Sequence, residues 1–426
     1  MGNLTAPAPS EVEIVESDLI MRRVSRASKY DFSSNLAAML ATDMLEMTDA
    51  TASYHSTDHM APLLVSKVLQ KEHGTGIKIW TGHPLTQMPV MNDRKAKGRE
   101  EGIGRSPFTM NIGYYRKPVY EGSVWAQQQV GVPLTREARL ELEEYFVKLF
   151  HSELPLYHLM GARGTYDADD LIIKPREPVF VDGQPIDEFA ETFANPLLPP
   201  TADRHSFAGD GSVTSIDTLS TTDRMDEATV RRVLSNMITT AYPLSRVKLR
   251  NEDTKKTQIA PYRLWLMPEQ MFEDLRESLG SDYRELEAAA MKRISGYGHP
   301  VFAEDCIYIK GCFIVPMAKP VQWTEGQTVR VSGPDKLATV TEQTVPAGVT
   351  VQRSVIIGGR ALALAYGGTT DGLTFKRVDE KDDYDDRDTA CLAWMGGFKA
   401  VRQWTSQGRA YDMGRHIVDA AVARPD

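Results

Sequence analysis

Hydrophobic and polar positions alternate most clearly in two short stretches separated by a polar gap. Ile77 and Ile79 alternate with Lys78 and Trp80, and Phe108, Met110, Ile112 and Tyr114 alternate with Thr109, Asn111 and Gly113. A period of two predicts a strand at each place. Eight glycines punctuate the span from Gly74 to Gly122, too many for a helix. Between the strands lies a charged tip, Asn92-Asp93-Arg94-Lys95-Ala96-Lys97-Gly98-Arg99-Glu100-Glu101. The economical reading is one long hairpin with a charged end. A two-stranded ribbon is marginal in water on its own, so it needs a surface to lie on.

Helical spacing follows. Thr135 offers an N-cap with Glu137 in the first turn, and Leu142, Tyr145 or Phe146, Leu149 and Phe150 recur at helical intervals until Pro155, which is expected to kink or end the helix. Residues 195–224 are rich in Pro, Gly, Ser, Thr and Asp, and read as a loop or insertion without a core of its own. Asp226 caps a second helix carrying Val230, Val233, Leu234, Met237 and Ile238. Tyr262 to Met267 alternates like a strand, Pro268 opens a third helix, and Ser281 to Ile294 makes a fourth. From Cys306 onward short strands dominate, with one small helical piece expected at Ala361 to Tyr366. The class is α+β.

Composition narrows the function. The chain has 426 residues, 42% hydrophobic and 25% charged, as in ordinary globular proteins. A net charge of −9 gives the phosphate backbone of nucleic acid no dominant positive field. Cys306, Cys312 and Cys391 form neither a disulfide framework nor a metal knuckle. Glu11, Glu13, Glu16 and Asp18 precede Met21-Arg22-Arg23, the reverse of a secretory leader. The best apolar run, Ile307 to Met317, is broken by Lys310, Gly311 and Pro316, and no membrane span is expected.

Candidate chemistry is sparse. His55 and His59 would share a helix face, but Ser56 stands where a zinc hydrolase places its general-base glutamate, so ordinary surface or core histidines are the better reading. His151 and His158 flank Pro155 without a third ligand. Gly102-Ile103-Gly104-Arg105-Ser106 lacks the Gly-Lys of a phosphate loop. The acidic run from Asp379 to Asp388 lacks the central glycine and terminal glutamate of a calcium loop, and reads as a solvated acidic turn. No catalytic residue and no cofactor are predicted.

The order of elements, a polar arm, a long hairpin, a helix, a mixed middle and a strand-rich end, resembles the tailed-phage major capsid protein with the fold named after phage HK97. Local patterns are similar to the N4-like major capsid protein family. They are His158-Leu159-Met160-Gly161-Ala162-Arg163-Gly164, Gly298-His299-Pro300-Val301-Phe302, Tyr308-Ile309-Lys310-Gly311, Ile357-Gly358-Gly359-Arg360 continuing to Gly367, Asp382-Asp383-Tyr384, and Tyr411-Asp412-Met413-Gly414. The resemblance implies an N-terminal arm (1–72), an extended loop (73–131), a spine helix and peripheral domain (132–225), an axial domain (226–370) and a return to the peripheral domain (371–426). It further implies an icosahedral shell of hexamers and pentamers around double-stranded DNA, located in the virion and assembled in the host cytoplasm, with portal, scaffolding or decoration proteins as partners.

A shell subunit must make several interfaces, so the candidate inter-subunit residues are Arg94, Lys95, Lys97 and Arg99 at the tip, with Asp382, Asp383, Asp385 and Asp386 as acidic complement. The alternatives are an encapsulin-like compartment, a metal-dependent hydrolase using His55 and His59, and a free monomeric binding protein.

Overall fold

The computed structural model describes residues 44–47, 62–66, 69, 74–82, 87–92, 94–95, 97–100, 102, 105–123, 141–142, 145, 149–165, 179–181, 184–186, 194–240, 242–247, 262–294, 306–317, 321–368, 375–382, 387–405 and 407–422. Two sheets carry the fold. In the first, Leu63–Ser66 lies parallel to both Met44–Met47 and Leu362–Tyr366. The 14-residue strand Arg387–Ala400 pairs antiparallel with Leu362–Tyr366, Phe375–Asp382 and Gly113–Ser123. The second sheet runs Ile307–Ile309, Cys312–Met317, Arg263–Pro268, Thr350–Ile357, Arg415–Val422, His205–Phe207, with Val321–Trp323 also paired to Thr350–Ile357.

Because successive side chains of a strand point to opposite faces, each sheet sorts its residues into two cores. In the second sheet Leu264, Leu266, Phe313, Val355 and Ile417 enter one core, while Trp265, Met267, Ile314, Ile356 and Val418 enter another. The latter core is completed by helices Glu227–Thr239, Glu269–Leu279 and Asp282–Ile294 through Val233, Met237, Met271, Leu275 and Tyr283. The former also takes Leu63, Val65, Leu392 and Trp394 from the first sheet, so it fills the space between the sheets. The hairpin covers part of the first sheet's opposite face, over Leu64, Ala363 and Ala365. The layers therefore run hairpin, first sheet, shared core, second sheet, helices.

Several elements follow from local sequence. Asp226 Oδ1 accepts from the Thr229 N–H at 2.7 Å, satisfying a helix donor that otherwise has no partner. Pro268, lacking an N–H, sits at the cap of Glu269–Leu279. Among the described residues of the expected spine, Pro155 does not end the helix. A widened π turn, Leu149–Glu153, precedes Leu154–Met160, and placing the proline in this first turn avoids the ladder bond it cannot donate. The helix ends at Gly161, whose φ of 69° is left-handed.

Two further expectations are corrected. Ala361 to Tyr366 is not helical: Leu362–Tyr366 is a fully buried strand between two neighbours. Leu362, Leu364 and Tyr366 face the shared core, whereas Ala363 and Ala365 face the hairpin, so tertiary pairing overrides the helix preference of Leu and Ala. Residues 195–224 have no core of their own, as expected, but they supply the strand His205–Phe207 and are stitched into the fold. Ile216 and Leu219 enter the shared core, Ala208 enters the helical one, and Arg204 is buried.

Candidate functional site

The hairpin pairs Gly76–Gly82 with Arg105–Asn111, from Gly76 opposite Asn111 to Gly82 opposite Arg105. Its alternation has a direct consequence. Ile77, Ile79, Phe108 and Met110 point to one side and pack with Leu64, Leu69, Ala363, Ala365 and Val401, while Lys78, Pro107 and Thr109 stay exposed. The base of the ribbon thus finds its supporting surface on its own chain. The tip does not: Met88 is 89% and Met91 66% exposed, and Arg94, Lys95, Lys97 and Arg99 are all exposed. Gly98 donates its N–H to Glu100 Oε2 at 2.7 Å, a local bond within the tip.

After Asn111 the single residue Ile112 leads into the 11-residue strand Gly113–Ser123, which leaves the ribbon and joins the first sheet. On this strand Tyr115 and Val119 turn inward, and Tyr115 contacts Phe150 and Trp394 with ring centroids 5.1 and 5.5 Å away. Burial pushes the Tyr115 hydroxyl up to about 12, so it stays neutral and accepts from the Ala194 N–H. Tyr114, Arg116, Pro118 and Tyr120 turn outward and are exposed, and the Arg116 guanidinium stands 5.5 Å from the Tyr114 ring. Half-buried Cys391 and Met395 lie opposite Pro118 and Tyr114 on the neighbouring strand. The result is an aromatic sheet face open to water. At its far end Asp382 lies opposite Arg387, where the paired strands Phe375–Asp382 and Arg387–Ala400 end. Asp382 closes its strand, and Asp383, Asp385 and Asp386 lie outside the described residues, as do His55 and His59.

A second cluster is charged and buried. Arg353 and Asp419 lie directly opposite on neighbouring strands and pair through two bonds of 2.7 Å, both side chains fully buried. Arg353 also donates to the Met160 carbonyl at 3.2 Å. Arg415 donates to the carbonyls of His158, Leu159 and Leu198 at 2.8, 3.0 and 2.7 Å and to Asp412 Oδ2. Arg402 reaches Asp412 Oδ1 at 2.8 Å. Two arginines therefore satisfy the carbonyls at a helix C-terminus, where positive charge is also favoured by the helix dipole. Desolvation opposes the charge of Asp419 and Asp412, yet the facing arginines win and hold both carboxyls below the usual range.

His158 and His416 go the other way: burial, reinforced by Arg415 beside the first and Arg204 beside the second, brings each down to about 3 and keeps it neutral. Ser206 and His416 meet at 2.9 Å, with no acid recorded on the histidine's other nitrogen. Among the described residues no cluster of three metal-ligating side chains occurs, and no helix is long and apolar enough to cross a membrane.

Sequence reading had placed function in the tip and the acidic turn. It missed the aromatic face, although Tyr114, Pro118 and Tyr120 already share one period-two face, and it missed the buried ion pairs. Their signal was an opposite charge inside each of two strands, Arg353 within Thr350–Ile357 and Asp419 within Arg415–Val422.

Comparison with known proteins adds to this geometry. The profile described as phage capsid protein matches residues 9–424. No curated protein matches the sequence. Among solved structures, the capsid of Ralstonia phage GP4 is similar with a TM-score of 0.65 at 20% identity, over 87% of this chain and 90% of that one. The capsid of cyanophage Pam1 gives 0.54 at 14%, over 89% and 96%. The head of Helicobacter pylori bacteriophage KHP40 gives 0.55 at 9%, over 88% and 94%.

Proposed function

The chain belongs to the phage capsid protein family, and from that premise we propose that its copies assemble, as hexamers and pentamers, into the icosahedral shell around the double-stranded DNA of a tailed phage. The observation that carries this reading is the divided hairpin. Its base is covered by its own subunit, while its tip exposes two methionines and four cations. Exposed methionines and cations at such a tip gain contacts from a neighbour, and stable interfaces bury on the order of 1,600 Å² in total.

The complementary surface is the aromatic face of Gly113–Ser123 with the acidic turn at its end. Apolar residues followed by basic ones on the tip, Met88 and Met91 before Arg94 to Arg99, would complement the aromatic residues of that face and the acidic sequence that follows Asp382. Net acidity suits a container that must release its cargo, since many phosphate contacts would hold DNA to the wall. In this reading the shell is assembled in the host cytoplasm, and portal, scaffolding or decoration proteins meet it through surfaces outside these contacts. Negative-stain microscopy and size-exclusion chromatography of the expressed chain test the proposal. Closed shells or capsomers are expected, and nuclease-protected DNA in particles from infected cells. A chain that stays monomeric at high concentration, with or without co-expressed phage assembly proteins, overturns it.

A further inference from the structure

The junction at Ile112 is where a ribbon that leaves the subunit meets a strand that stays in it, and one buried side chain sits on that junction. Asn195 is 2% exposed. Its Oδ1 accepts from the Asn111 N–H at 2.8 Å, and its Nδ2 donates to the Asn111 carbonyl at 2.9 Å and to the Phe398 carbonyl at 3.0 Å. The amide thus behaves as one residue of a neighbouring strand, satisfying both backbone groups of the hairpin's last residue and tying them to Arg387–Ala400. Only a side chain with a donor and an acceptor on one carbon can do this: aspartate lacks the donor, and leucine lacks both.

The surroundings are built for that contact. Gly397 lets the chains approach so closely that an added Cβ would lie 2.2 Å from the Asn111 carbonyl oxygen. Lys399, half-buried, donates to the Thr109 carbonyl at 2.6 Å and lies 5.2 Å from the centre of the Phe108 ring, gripping the same hairpin strand two residues earlier. From the other side the Ile112 N–H donates to the Thr75 carbonyl at 2.9 Å. Beyond Asn111 toward the tip, the hairpin's paired strands have, among the described residues, no partner strand other than each other.

We infer that Asn195, backed by Lys399, is the latch that fixes the direction in which the hairpin leaves its subunit, and so determines where a second copy of the chain receives it. The first half stands on the geometry above, and the second rests on the shell reading. The paired strands span seven residues each, about 23 Å at the usual rise, and their apolar side packs on the first sheet, so a rotation at Ile112 has to shift that packing and carries the exposed tip with it. A 15° error at the latch therefore displaces the end of the paired strands by about 6 Å, enough to miss a side-chain-sized contact.

The test compares the full-length chain with Asn195→Ala, Asn195→Asp and Lys399→Met by hydrogen exchange of the unassembled protein and by microscopy of assembled particles. The expected result is at least tenfold faster exchange in Gly76–Gly82 and Arg105–Asn111, unchanged exchange in Thr350–Ile357 and Arg415–Val422, and particles of mixed size or open form. Asn195→Asp should behave like Asn195→Ala although it keeps the acceptor. Hairpin exchange within twofold of the parent, or acceleration spread evenly over both sheets, overturns the latch. If the Asn195 variants do not fold, Lys399→Met decides the matter by the same criteria. A parent chain that forms no particles counts against the shell reading only, and the exchange measurement still judges the latch.

Discussion

Acid should weaken this subunit well above the range where its carboxylates titrate, and two histidines set the size of the effect. His158 lies in the last turn of Leu154–Met160, where the helix dipole alone would favour the imidazolium by about 0.3–1 kcal/mol. Burial and the neighbouring Arg415 and Lys399 outweigh that and bring the group down to about 3. His416, on Arg415–Val422, faces Arg204 and His205 and is likewise brought to about 3. A histidine whose folded value lies below its ordinary value of about 6.5 takes up its proton on unfolding. Its contribution to stability is therefore complete above that value and is lost as pH falls toward 3.

Between pH 7.5 and pH 5, linkage gives a loss of about 2 kcal/mol per histidine, so about 4 kcal/mol for the pair. Chemical denaturation of the unassembled chain at the two pH values measures it. His158→Gln and His416→Gln should each flatten the pH dependence by about 2 kcal/mol, whatever they do to stability at pH 7.5. A pH dependence left unchanged by both substitutions would refute the reasoning, because it would mean that these rings accept protons in the folded chain.

Other outcomes are expected elsewhere. Arg353→Met leaves the Asp419 carboxylate buried without its bidentate partner and should cost about 3–5 kcal/mol in denaturant unfolding, a loss that Arg353→Met with Asp419→Leu should largely recover. Gly161→Ala forces a side chain onto a left-handed residue and places its Cβ 2.3 Å from the Leu198 carbonyl oxygen, so the melting temperature should fall, with a cost of about 1–3 kcal/mol from the backbone alone. Lys95→Glu with Lys97→Glu should leave unfolding within about 0.5 kcal/mol of the parent while slowing assembly most strongly at low salt. Equal assembly rates at every ionic strength would remove the tip from the interface.

What could be read in advance depended on whether one face of an element meets water. Gly76–Gly82 and Arg105–Asn111 alternate because one side packs on the first sheet and the other is wet, so period two survives in the sequence. The helix Glu227–Thr239 announces itself through Asp226 and an apolar stripe. Leu362–Tyr366 is buried on both faces, so its contrast is between large and small residues rather than apolar and polar ones, and Leu-Ala-Leu-Ala reads as helix. Asn195 lies in an irregular segment and makes its bonds 84 and 203 residues away, a relation no local pattern encodes. Pairing across 66 residues hides Arg353 and Asp419 in the same way.

Those buried pairs bear on why the subunit is rigid where it is. Replacing an internal ion pair with apolar groups of similar volume often costs nothing, so net stability is a poor reason for keeping one. Geometry is a better one. Arg353 spends one edge of its guanidinium on Asp419 and another nitrogen on the Met160 carbonyl, and Arg415 divides itself between Asp412 and three carbonyls of the helix end and the following loop. A slip of Arg415–Val422 by one residue would turn Arg415 and Asp419 to the opposite face and leave all of these groups unpaired in the interior. Packing already penalises such a slip, and these pairs add to it the cost of several buried charges left unpaired. In an assembly, an angular error between helix and sheet recurs in every copy, so a junction with one permitted register belongs in the subunit body, and adjustable contacts belong at the exposed tip.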